Sequence, residues 1–173
     1  MRKPHPKGAR PGATLVELEA CYRDHYPRFL RVAVAVSGSP EAGRDAVHDA
    51  FISLICSRKK FRRDSPLEAW AWAAVVNAAR KQARRHSGLP LAEDYRDQRA
   101  TPNGDGDPLG AVRAAIARLP ERQRLALFLR YYADLDYAGI AATLGTAPGT
   151  VAAALHTAHE TLRKTLQEVE TDA

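Results

Sequence analysis

The chain has 173 residues, with 26 Lys+Arg, 20 Asp+Glu, 11 Gly, 11 Pro and 2 Cys, enough for one domain or two small ones. Two cysteines, Cys21 and Cys56, cannot staple a secreted scaffold. The basic opening MRKPHPKGARPG lacks the apolar run of a signal peptide, and the longest apolar stretches, such as Ala69–Val76, fall far short of the ~18–20 residues that span a bilayer. The net charge of +6 is uneven, because residues 1–90 hold 17 basic against 8 acidic residues and residues 91–173 hold 9 against 12. A polyanion would find its hold on the first half. A soluble, cytoplasmic, mildly basic protein with no membrane insertion is the expectation.

In chain order, residues 1–13 read as a disordered basic N-terminus. Leu15–Tyr22 and Tyr26–Val36 read as helical, with Pro27 marking a start or kink between them. Ser39-Pro40-Glu41 combines an N-cap with proline at the first helical position and opens a helix to about Cys56. Ser65-Pro66-Leu67-Glu68 has the form of a capped start with a capping-box acid, and the helix it opens runs uninterrupted to Gly88. Residues 86–108 mix Gly, Pro, Asn and acids without an apolar period, so residues 87–107 are expected to be a flexible acidic linker between two halves that move independently. Asp107-Pro108 restarts a helix to about Arg118, and Pro120 starts another to about Tyr132. A short helix follows at Tyr137–Leu144, and Pro148 opens the last, to about Val169, with residues 170–173 an acidic tail. Strand signals are nearly absent, so the fold class is all-α.

Three constellations bear on chemistry. Tyr137–Leu144, Gly145 and the helix from Pro148 have the form of a helix–turn–helix, in which Ile140, Leu144, Val151 and Leu155 pack and the second helix can enter a DNA major groove. Such pairs also occur in bundles with no DNA role. The run Arg58-Lys59-Lys60-Phe61-Arg62-Arg63 and the cluster Arg80-Lys81-Gln82-Ala83-Arg84-Arg85 flank a helix bearing Trp70 and Trp72. Charge next to aromatics suits single-stranded DNA. The two tryptophans face opposite sides, so at least one belongs to the core. Asp45 and Asp49 share a helix face and have no base or metal ligand nearby. No nucleophile–base pair is visible, so no catalytic residue is expected. His156, His159 and Glu160 lack the spacing of zinc-protease helices and a third ligand, so neither metal nor cofactor is expected. Cys21 and Cys56 are read as core fillers.

These residues resemble a family. Ile116-Ala-Arg-Leu119-Pro120-Glu-Arg122-Gln123-Arg124, Leu129-Arg130-Tyr131-Tyr132, and Ile140-Ala141 through Leu144-Gly145 to Gly149-Thr150-Val151 resemble region 4 of bacterial sigma factors, which reads the −35 promoter element. Ala42 and Asp45-Ala46-Val47-His48-Asp49-Ala50-Phe51 resemble the region 2 helix that docks on RNA polymerase. Phe61-Arg62, Leu67-Glu68-Ala69-Trp70 and Asn77 resemble the segment that opens and reads the −10 element. In register, residues 14–86 resemble region 2 and residues 108–169 region 4, without the intervening region 3, as in the extracytoplasmic-function (ECF) group of the sigma-70 family.

The resemblance implies two small helical domains on a flexible linker, with core RNA polymerase and promoter DNA as partners and an anti-sigma factor as a further partner that the family allows. It implies core-polymerase contacts at Asp45, His48, Asp49 and Phe51. It places −10 contacts at Lys59, Lys60, Phe61, Arg62, Arg63, Asn77, Arg80, Arg84 and Arg85, and −35 contacts at Thr150, Ala152, Ala153, His156 and Arg163. One departure stands out. Where family recognition helices carry bases, this chain has Ala152, Ala154, Thr157 and His159, so −35 binding should be weak in its phosphate contacts. That departure motivates an alternative, a regulatory polymerase- or anti-sigma-binding protein that has lost effective −35 recognition. A simple helix–turn–helix repressor would leave Asp45–Phe51 and Trp70–Asn77 unexplained.

Overall fold

The computed structural model describes residues 12–86 and 108–171, and within them every regular element is helical. The expected linker and both chain ends lie outside the described residues. The first unit is a three-helix packing of α1 (Leu15–Ser37), α2 (Pro40–Ser57) and α3 (Leu67–His86), with one 3-10 turn at Arg58–Lys60. Helix α1 starts with a complete capping box, in which the Thr14 hydroxyl accepts from the Glu17 amide and the Glu17 carboxylate accepts from the Thr14 amide. It is one helix rather than two. Pro27 sits inside it with its ring exposed. A proline there costs ~3 kcal/mol of helix stability, offset because Leu18 and Cys21 on one side and Phe29 and Val32 on the other are buried in the same core. The Ser39 side chain caps α2 as its sequence predicts, accepting from the Ala42 amide.

An aromatic cluster joins the three helices. Phe29 stands edge-on to Trp72 at 4.4 Å and to Phe51 at 5.5 Å, and Tyr22 meets Phe51 at 4.8 Å. The Trp72 Nε1–H donates to Glu68 at 3.2 Å, and the same Glu68 oxygen lies 3.8 Å from His25. The expected capping-box acid of α3 is thus directed at the indole that the core buries. Helices α1 and α2 approach closely at Gly43, where a Cβ would sit 2.5 Å from Val34 Cγ2 and 2.8 Å from the Val34 nitrogen.

The second unit comprises α4 (Pro108–Arg118), α5 (Glu121–Tyr131), α6 (Tyr137–Leu144) and α7 (Pro148–Thr171), close to the boundaries that the sequence predicts. Leu125, Leu129, Ile140, Val151, Leu155 and Ala158 form its interior. Asp136 caps α6 by accepting from the Gly139 amide at 2.7 Å, and Gly145 ends it in the left-handed region at φ 63°, a conformation that glycine adopts without steric cost. The Arg130 guanidinium donates to the Leu135 carbonyl and ties down the loop before the helix–turn–helix.

The two units also touch each other in this structure. α6 packs against α3 and α5 against α1. The Arg80 fork closes on Glu121 with Nε–Oε1 at 2.7 Å and Nη2–Oε2 at 3.1 Å. Sequence patterning could not reveal a pair 41 residues apart.

Candidate nucleic-acid interface

The segment from Arg58 to Asp64 follows α2 and is pinned at both ends by the start of α1. At one end the Ala13 amide donates to the Arg58 carbonyl at 2.8 Å, and the Arg58 side chain turns back to the Ile55 carbonyl at 2.9 Å. At the other, Arg63 Nη2 lies 3.0 and 2.9 Å from the two Glu17 oxygens. Arg63 has φ 57°, a left-handed conformation that non-glycine residues seldom adopt. The Arg63 hydrogen bonds, and then those from Thr14, hold the Glu17 carboxyl down at about 2. Arg63 is therefore already paired. Phe61, expected among the −10 contacts, is 6 % exposed and stacked on Trp70 at 4.9 Å. It anchors the segment because an apolar ring gains more from burial than from a water-filled groove. Lys59, Lys60 and Arg62 stay exposed, with Asp64 beside Arg62 at 3.3 Å.

On α3 the helical repeat puts Trp70, Asn77, Lys81 and Arg84 on one face, and Trp72 on the other, fully buried. Asn77, Lys81, Arg84 and Arg85 are exposed. Arg80, expected among the DNA contacts, holds Glu121 in this structure. The Arg80 hydrogen bonds first, then the charges of Arg80, Arg84 and Arg124, hold the Glu121 carboxyl below the usual carboxylate range. The basic strip and the exposed bases of the 58–64 segment belong to the same three-helix unit.

On α2, Asp45, His48 and Asp49 are exposed along one stripe, and Ile52 continues it at 61 % exposure. Sequence reading missed Ile52, although it lies seven residues beyond Asp45, two turns along the same face. Phe51 cannot share that face. It is buried against Phe29 and Tyr22, so it is a core residue that orients the stripe. Asp49 also accepts from Gln82 Nε2 of α3 at 3.2 Å.

On α7, Thr150, Ala153, His156 and Arg163 are exposed and Ala152 is half-buried. Arg163 is paired with Glu160 at 2.8 Å. His159 shares a hydrogen bond of 2.9 Å with the Tyr131 hydroxyl. Thr157, Thr161 and Thr165 each donate to the carbonyl four residues back. Among the described residues, no group of three His, Cys, Asp or Glu side chains is placed to hold a metal ion, and no single helix is long and apolar enough to cross a membrane.

Comparisons with known proteins match both units separately. Residues 21–88 match the family model described as Sigma-70 region 2, and residues 109–162 match that described as Sigma-70, region 4. The ECF RNA polymerase sigma factor SigM of Mycobacterium tuberculosis is 32% identical over 133 residues, covering 75% of this chain and 67% of SigM. SigL of the same species, also named an ECF RNA polymerase sigma factor, is 28% identical over 160 residues, covering 88% of this chain and 90% of its own. Among solved structures, CnrH in complex with the cytosolic domain of CnrY superposes with a TM-score of 0.68 at 18% identity, over 90% of this chain and 91% of that one. The sigma factor RpoE in complex with the anti-sigma factor NepR, from Bartonella quintana, gives 0.65 at 20% identity, over 88% and 98%. At such identities the superpositions speak for the fold.

Proposed function

The chain belongs to the sigma-70 family of RNA polymerase sigma factors, in its ECF group, and from that membership we propose how its surfaces divide the work. It is a non-enzymatic subunit that binds core RNA polymerase in the cytoplasm and directs it to promoters. The α2 stripe of Asp45, His48, Asp49 and Ile52 docks on a basic surface of the polymerase. Lys59, Lys60, Arg62, Asn77, Lys81, Arg84 and Arg85 hold the opened −10 element, and Arg80 joins them when Glu121 releases it. Thr150, Ala152, Ala153 and His156 face the −35 element, where alanine and threonine methyl groups can contact thymine methyls. An anti-sigma factor is a further partner on this reading. CnrH and RpoE, which this chain resembles in fold, were each solved with a bound protein, the cytosolic domain of CnrY and the anti-sigma factor NepR.

The observation that carries the reading is the joint exposure, on one three-helix unit, of an acidic–apolar stripe on α2 and a basic strip on α3 and residues 59–62. Two surfaces of opposite charge suit a protein that must hold polymerase and nucleic acid together. The test is reconstitution with bacterial core polymerase and sequencing of transcript 5′ ends. The reading expects initiation at a restricted promoter set. Tight core binding without initiation would favour the regulatory alternative, which the relatives' names do not support.

A further inference from the structure

We infer that Glu17, on the first turn of α1 and outside every surface assigned above, is a positioning residue for −10 strand capture, shaping the 58–64 segment through Arg63. The inference rests on the −10 role proposed for that segment. Three observations support it. First, both ends of the segment are fastened to residues 12–17. Gly12 at φ 125° lies so close that a Cβ would stand 3.0 Å from the Arg58 carbonyl and 3.2 Å from Lys59 Cα, and Ala13 bonds that same carbonyl. Second, Arg63 is left-handed. An L-residue in this region costs ~1–2 kcal/mol, and such a conformation persists where its surroundings over-determine it. The surroundings here are the two-oxygen grip of Glu17 and the Phe61 ring, whose centroid lies 6.0 Å from the Arg63 guanidinium carbon. Third, Phe61 and Trp70 anchor the middle of the segment. With these points fixed, Lys59, Lys60 and Arg62 project from a set curve instead of a free loop. A surface that holds a separated strand gains affinity when its cations are placed in advance.

Glu17 is an anion close to a surface meant for a polyanion. Charge alone therefore predicts that neutralising it strengthens DNA binding. Positioning predicts the reverse. The variant Glu17→Gln separates the two cleanly, because glutamine at the third helical position still completes a capping box and only the grip on Arg63 is weakened.

The experiment uses holoenzyme assembled from full-length chain and bacterial core polymerase. Its probe is a fork-junction DNA library whose single-stranded −10 segment is randomised. Wild-type holoenzyme should enrich a defined −10 motif. E17Q should bind that motif about 10-fold more weakly and enrich a more degenerate one, with core affinity unchanged and any fall in melting temperature shared by R63Q. R63Q should resemble E17Q, and the double variant should be no worse than R63Q. Binding by E17Q equal to or tighter than wild type would overturn the inference, as would additive losses in the double variant or a loss of core affinity parallel to the loss of DNA binding. A wild-type holoenzyme that enriches no motif would overturn the −10 reading itself, and this inference with it.

Discussion

Replacing Glu121 by Gln should loosen the docking of the two units by an amount that the geometry bounds. The Arg80–Glu121 contact is a fork with two hydrogen bonds, but the side chains are 33 % and 51 % exposed, so solvent screens them. An ion pair of this exposure contributes about 0.5–1 kcal/mol, which is roughly a two- to fivefold shift in the ratio of docked to separated molecules. The effect should fade as salt rises from about 50 to 500 mM, because the screening length falls well below 10 Å. The sign with pH also follows. The carboxyl is lowered in the docked state, so its contribution is complete above the ordinary carboxylate pKa and lost as pH falls through the lowered value. Between pH 6 and 8 docking should be flat. Energy transfer between dyes on the native Cys56, which is exposed and not the core filler expected from the sequence, and a cysteine introduced by Thr161→Cys on α7 would read the separation. Burial pushes the Cys21 thiol up to about 11, so at neutral pH it stays unlabelled. Transfer that is identical in wild type and E121Q, or that does not respond to salt in wild type, would refute the reasoning.

Asp45→Ala should weaken core-polymerase binding and change stability by less than ~0.5 kcal/mol, whereas Asp49→Ala should also cost about 1 kcal/mol through its bond from Gln82; equal core affinity in both variants and wild type, by titration, would remove the stripe from the docking surface. Gly43→Ala should destabilise the chain by ~1–3 kcal/mol, since its Cβ would meet Val34 backbone, and a urea midpoint unchanged from wild type would show that α1 and α2 can part there. On α7, Ala153→Lys with Thr157→Arg should steepen the salt slope of holoenzyme binding to a −35 duplex by up to ~2, at ~0.9 for each phosphate reached; a wild-type slope already that steep would mean that −35 affinity comes from elsewhere.

What was legible in the sequence was mostly local. Ser39-Pro40, Pro108 and Pro148 mark helix starts within a residue or two because caps and proline act over one turn. Pro27 misled as a helix start for the same reason, since its local penalty was outweighed by burial of Phe29 and Val32. The site was legible as a list of charges, but pairing decides which charges are available. Arg63 meets Glu17 across 46 residues and Arg80 meets Glu121 across 41, and no period or motif encodes either. Phe51 and Phe61 carry the opposite lesson. Motif matching put them at partner surfaces, while the helical repeat already set Phe51 off the Asp45–Asp49 face, and only the fold shows Phe61 under Trp70.

Helix α2 is also a ruler. From Ala46 to Ser57 it contains no glycine or proline, its buried edge is keyed to α1 at Gly43 and to the core at Phe51 and Leu54, and its last turn runs directly into Arg58–Lys60. At ~1.5 Å per residue, Asp45 and Arg58 stand roughly 20 Å apart along a rod without a hinge. Whatever grips the Asp45 end therefore fixes where Lys59 and Lys60 arrive, to within the reach of a lysine side chain. A one-residue insertion between Phe51 and Leu54 would turn everything beyond it through about 100° about the helix axis, taking Leu54 off the buried edge and both lysines off their present face.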